Sequence, residues 1–91
     1  MVMVITRNKV KSKDKYMELA SGFVKDLRLE QGCVEADMVS DTESEDEVLF
    51  VSKWESKDLW AAHLNGKAFS THIPKLGEFY ISGVDEFYTV F

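Results

Sequence analysis

Two histidines, His63 and His72, are the side chains of this 91-residue chain whose ordinary pKa lies near neutrality. His63 closes the run Trp60-Ala61-Ala62-His63, and Phe69 follows it. A histidine on an apolar helical face is usually a core residue with a satisfied nitrogen. The same imidazole is also the general base most readily available here. Asn8 falls where a first strand meets its loop, so its amide either caps the loop or meets a substrate. Cys33 directly follows Gly32. A reactive thiol needs a cationic neighbour, and without one Cys33 reads as a small buried hydrophobe. The two histidines lie nine residues apart across a helix break. Zinc requires three or four converging ligands, so no metal site is expected. The acidic run Asp41 to Glu47 lacks the glycine turn and spacing of a calcium loop and reads as a solvated hairpin. No phosphate loop, paired cysteines or nucleophile-elbow serine is present.

The elements that must position these groups follow from apolar spacing. Val2 to Asn8 opens on four consecutive apolar residues, the pattern of a strand buried on both faces. Ser12 is placed to cap a helix whose stripe is Tyr16, Leu19, Ala20, Phe23, Val24 and Leu27. Gly32 is expected to end that helix in a left-handed cap. Gly22, inside it, implies a close packing contact, because glycine costs about 1 kcal/mol against alanine there. Val34, Ala36 and Met38 alternate with Glu35 and Asp37 and predict a strand. In Val48 to Trp54 both alternating sets are apolar: Val48, Phe50 and Trp54 against Leu49 and Val51. Ser56 caps a second helix, Lys57 to Asn65, stopped by Gly66. Ala68 to Leu76 marks a third helical piece with Pro74 disturbing its last turn. Phe79 and Tyr80 fall in a loop between Gly77 and Gly83, and Val84 to Phe91 reads as the last strand.

The order is strand, helix, strand, strand, helix with extension, strand. It predicts an α+β fold of one domain over 1–91, ferredoxin-like βαββαβ, with an antiparallel sheet. A sheet with two apolar faces needs two covers, and the chain offers helices for one only. A second copy is the expected other cover, giving a homodimer. At 45% hydrophobic and 12% aromatic with one proline, the composition is globular. The net charge of -5 argues against nucleic acid and anionic membrane as partners. No run approaches the length of a membrane span, and the first residues do not resemble a signal peptide. A single cysteine leaves no intrachain disulfide, and a cytoplasmic location is the expectation.

The run Leu49-Phe50-Val51-Ser52-Lys53-Trp54-Glu55-Ser56-Lys57-Asp58-Leu59-Trp60-Ala61-Ala62-His63-Leu64, with Phe69 beyond it and the Glu30-Gln31-Gly32-Cys33 turn before it, resembles the antibiotic biosynthesis monooxygenase family. The resemblance covers most of the chain. It implies a dimeric α/β barrel and an oxygenase using neither flavin nor metal. Such an enzyme binds a small aromatic phenol or quinol and passes electrons to dioxygen. His63 would then be the base or the oxyanion partner, and Asn8 a polar orienter. Trp54, Trp60 and Phe69 would shape the pocket. The chain is also similar to heme-degrading monooxygenases of the same superfamily. Asn8 matches their strand-end Asn, and His72 falls within one residue of their iron ligand. Their helical Trp position falls on or near His63, a mismatch that counts against heme ring-opening. Two further readings of the same fold are a non-catalytic dimeric ligand-binding or stress-associated module and a small isomerase.

Overall fold

The structure, a computed structural model, describes residues 1–91. The elements are β1 (Val2–Val10), α1 (Lys13–Leu27), β2 (Cys33–Ser40), β3 (Glu47–Trp54), α2 (Lys57–His63), α3 (Lys67–Leu76) and β4 (Tyr80–Thr89). The four strands form one sheet in the order β2-β3-β1-β4, with every neighbouring pair antiparallel. The architecture is therefore the expected ferredoxin-like α+β arrangement.

Alternation along the strands sorts residues onto two faces. Val4, Asn8 and Val10 of β1 and Val48, Phe50, Ser52 and Trp54 of β3 are buried beneath the helices. Tyr16, Ala20, Phe23, Val24 and Leu27 of α1 pack onto them, which is the stripe read from the sequence except for Leu19, only half-buried at its edge. Trp54 is fully enclosed, and its indole N–H donates to Ser52 Oγ at 2.9 Å. The opposite face presents Met3, Ile5, Leu49 and Val51, with in-register pairs Ile5–Val51 and Arg7–Leu49. No layer of this chain lies over it, and Val84 there is 62% exposed.

Several local expectations are corrected. Asn8 is not at the end of β1, because the strand continues to Val10 and Asn8 pairs with Val48 on one side and Gly83 on the other. Ser12 takes a left-handed conformation, φ 49°, and its side chain caps nothing. Gly32 does not cap α1, which ends at Leu27 with the Arg28 N–H donating to the Val24 carbonyl and the Leu29 N–H to that of Asp26. Gly32 has φ +85° in the turn entering β2, and an added Cβ would meet Leu59 Cδ1 at 2.6 Å. Only glycine satisfies both conditions. Val34 leaves its apolar set: register shifts between Cys33 and Glu35, and Val34 is exposed. The last strand starts at Tyr80 rather than Val84, because Tyr80 pairs with Val10. Pro74 lies inside α3 without ending it, and Gly77 N still bonds Ile73 O at 2.8 Å. Gly22 does mark a close approach, since an added Cβ would lie 3.2 Å from His72 Cε1.

Candidate active site

Helix α2 is short, and its start is fixed by Ser56, whose Oγ accepts the Leu59 N–H at 3.2 Å. This start turns His63, its last residue, toward the sheet, where it is buried. The imidazole stacks on Trp54 with ring centroids 4.9 Å apart and planes 22° from parallel. Trp60 lies tilted at 6.0 Å, and Phe69 meets the ring edge-on at 5.9 Å. Nδ1 is enclosed with no hydrogen-bond partner. Burial holds the His63 pKa below its ordinary value, and the carboxylates Glu30 and Asp85 oppose this from a distance. At pH 7 the ring is neutral and can accept a proton.

His63 borders a cavity of 370 Å³ between the sheet and the helices. One wall is apolar: Phe23, Leu27, Phe69, Ile73 and Leu76 from α1 and α3. The other is polar, with Thr6, Asn8, Tyr80 and Asp85 on β1 and β4 and Tyr16 reaching over from α1. Asn8 Nδ2 donates to the Tyr16 hydroxyl oxygen at 3.2 Å, so the phenolic proton is free to be donated. Burial raises the Tyr16 pKa despite the Asn8 hydrogen bond, which keeps the phenol protonated. Thr6 Oγ1 donates to Asp85 Oδ1 at 2.7 Å. Gly83 makes room for this wall: an added Cβ would collide with Asn8 Oδ1 and lie 2.7 Å from the Tyr80 hydroxyl. An aromatic ligand would thus find ring faces on one side and hydrogen-bonding groups on the other.

Among the residues singled out from sequence, His63, Asn8, Trp60 and Phe69 line one cavity. Trp54 does not line it; it lies under His63 and supports the imidazole from below. His72 stands outside, at the seam of α1 and α3, where Nε2 meets Asp26 Oδ2 at 2.7 Å. The fit to a heme ligand therefore fails at His72: the nitrogen that would bind iron is engaged by a carboxylate, and the ring packs against Phe23 away from the cavity. Burial pushes the Cys33 thiol up, against the smaller pull of Arg28, so it is not an activated thiolate. The acidic hairpin is held by Lys13 Nζ, which donates to the carbonyls of Asp41 and Ser44.

Tyr16, Tyr80, Gly83, Asp85 and Thr6 carry no motif. Tyr16 reads as the first residue of a core stripe, and only its hydroxyl hints at more. Gly83 inside a β-rich segment is the one available signal, since a strand glycine often marks a close approach.

Comparison with known proteins agrees with this architecture. The family model for antibiotic biosynthesis monooxygenase matches residues 1–75. No curated protein matches the sequence. Among solved structures, one described as an antibiotic biosynthesis monooxygenase superposes with TM-score 0.87 at 19% identity, covering 100% of this chain and 99% of that one. A conserved protein from Methanosarcina mazei Go1 gives 0.83 at 19% identity, covering 96% and 89%. A variant of SnoaB, a cofactor-independent oxygenase from Streptomyces nogalater, gives 0.82 at 13% identity, covering 98% and 91%. The structural likenesses speak for the fold, and the sequence match over most of the chain speaks for descent: the chain belongs to the antibiotic biosynthesis monooxygenase family.

Proposed function

We propose that the chain is a cofactor-independent monooxygenase that oxidises a small aromatic, phenol- or quinol-type substrate with dioxygen. One observation carries the reading: a neutral imidazole, enclosed by Trp54, Trp60 and Phe69 and bonded to no protein group through Nδ1, borders an aromatic-lined cavity. A buried polar atom without a partner costs about 1–3 kcal/mol, so its retention calls for a use. SnoaB, of the same fold, is described as a cofactor-independent oxygenase, which agrees with this chemistry.

In this reading His63 accepts the phenolic proton, and Tyr16 donates a hydrogen bond to an oxygen of the ligand. The apolar wall of α1 and α3 limits water on one side of the ligand, and the electron-rich anion is available to dioxygen there. The anion transfers one electron to dioxygen, and the resulting radical pair combines to form a carbon–oxygen bond. The imidazolium of His63 returns its proton to the peroxide. Loss of water, made from the outer oxygen, that proton and the hydrogen of the attacked carbon, leaves a carbonyl. A phenol and one dioxygen thus become a quinone and one water.

The uncovered face of the sheet supports a homodimer as the working unit. Its centre is apolar, with Ile5, Val51 and Leu49, and its flanks carry the ion pairs Arg7–Glu86 at 2.7 Å and Lys53–Glu35 at 3.4 Å. An apolar centre with a polar rim is the usual anatomy of a subunit interface.

Dioxygen uptake with a panel of polycyclic phenols tests the function. Consumption that His63→Gln abolishes while tryptophan quenching still reports binding is the expected result. Binding without any dioxygen consumption in the parent protein would overturn it in favour of a ligand-binding module.

A further inference from the structure

We propose that Asp85 sets the charge class of the ligand: the cavity accepts uncharged or amine-bearing hydroxyaromatics and discriminates against those carrying a carboxylate, sulfonate or phosphate. The inference rests on the cavity being an aromatic-substrate site.

Asp85 carries the one carboxyl group among the residues lining the cavity, and no lysine or arginine lines it. His63, the other titratable base there, is held neutral by burial. The carboxylate is oriented. Thr6 and Asp85 are register partners across β1 and β4, and Thr6 Oγ1 holds Oδ1 at 2.7 Å. Oδ2 has no protein donor and, in an exposed residue that lines the cavity, is open to solvent or to a ligand there. A ligand hydroxyl or ammonium group there gains a charge-assisted hydrogen bond, whereas an anionic substituent meets a like charge with no cation to offset it. The same carboxylate favours the protonated state of His63, whose positive charge offsets the phenolate that the proton transfer leaves; a ligand that arrives already anionic has no such counter-charge. Asp85 lies in β4, beyond the matched residues 1–75.

Matched naphthol derivatives that differ only in a carboxamide, carboxylate or aminomethyl substituent provide the test. Binding is read by tryptophan quenching of the full chain at neutral pH, in low and in high salt. Asp85 is solvent-reached, so the expected preference for carboxamide over carboxylate is about fivefold at low salt, shrinking as salt rises. Asp85→Asn, which keeps an acceptor for Thr6, brings the ratio to near one, and Asp85→Glu retains it. Equal binding of the carboxylate by the parent protein, or an unchanged ratio in Asp85→Asn, overturns the proposal while leaving the aromatic-site reading intact. If no naphthol binds, uncharged ones included, the aromatic-site reading fails and this inference falls with it.

Discussion

The regions around His63 and His72 place the same side chain in opposite circumstances. His63 ends a short helix, lies among three aromatic rings, and keeps Nδ1 without a partner. His72 lies mid-helix at the seam of α1 and α3, touches the space left by Gly22, and is bonded to Asp26 at 2.7 Å. The second arrangement is tied into the fold: Nε2 is bonded to Asp26, and the ring fills a gap between helices. The first is incomplete: desolvation lowers the basicity of the ring, Glu30 and Asp85 offset only part of it, and Nδ1 has no partner. The His63 ring borders an open cavity, and because Nδ1 is enclosed, a ligand can meet it only through the other nitrogen. The His72 ring, between helices, contributes to packing.

The sharpest way to break this contrast is turnover. His63→Gln is expected to lower dioxygen consumption by about 10²–10⁴-fold, the usual worth of a general base. His72→Gln should remain within about twofold of the parent, since the residue contacts no reacting atom; equal losses in both would erase the distinction. Next in size is the support beneath His63. Trp54 is wholly enclosed, and Trp54→Ala should cost about 3–5 kcal/mol in urea unfolding, as for other large-to-small core changes.

A smaller effect has the opposite sign. His63→Leu removes the unpartnered Nδ1 and should raise stability by about 1 kcal/mol while abolishing turnover. A loss of stability instead would mean that the imidazole has a structural partner. The pH dependence follows from the same group. The folded pKa of His63 lies below its unfolded value near 6.5, so the unfolded chain binds more protons in that window. Stability contributed there is complete above about pH 6.5, is lost as pH falls toward the folded pKa, and changes no further below it. Chemical denaturation between neutral and mildly acid pH should show this slope in the parent and not in His63→Leu. Smallest is the cost of breaking the partly exposed Asp26–His72 pair. His72→Gln should lose no more than about 1 kcal/mol, within the range of surface ion pairs.

Much of the fold was legible because burial leaves a periodic trace. The α1 stripe from Tyr16 to Leu27 is the buried face of that helix, and the alternation in Val48 to Trp54 separates the two faces of β3. The errors fall where local signals compete with partners distant in sequence. Asn8 resembles a strand end, yet pairing with Val48 and Gly83 draws it into the sheet. Ser12 has the type of a cap and the wrong backbone. Tyr80 resembles a loop residue until Val10 provides a strand to pair with.

The site divides in the same way. The sequence by itself determined the element order, the apolar faces and the presence of a histidine among aromatic residues on the inner side of a helix. Those depend on spacing within one element, and spacing is what a sequence records. Tertiary structure alone decided which groups converge. It set Tyr16 against Asn8, anchored Asp85 on Thr6, gave the cavity its polar wall through Gly83, and sent His72 to Asp26 and away from His63. Thr6 and Asp85 are 79 residues apart in the chain and 2.7 Å apart in the fold. Contacts of that kind arise from strand pairing and helix docking, which no local periodicity encodes.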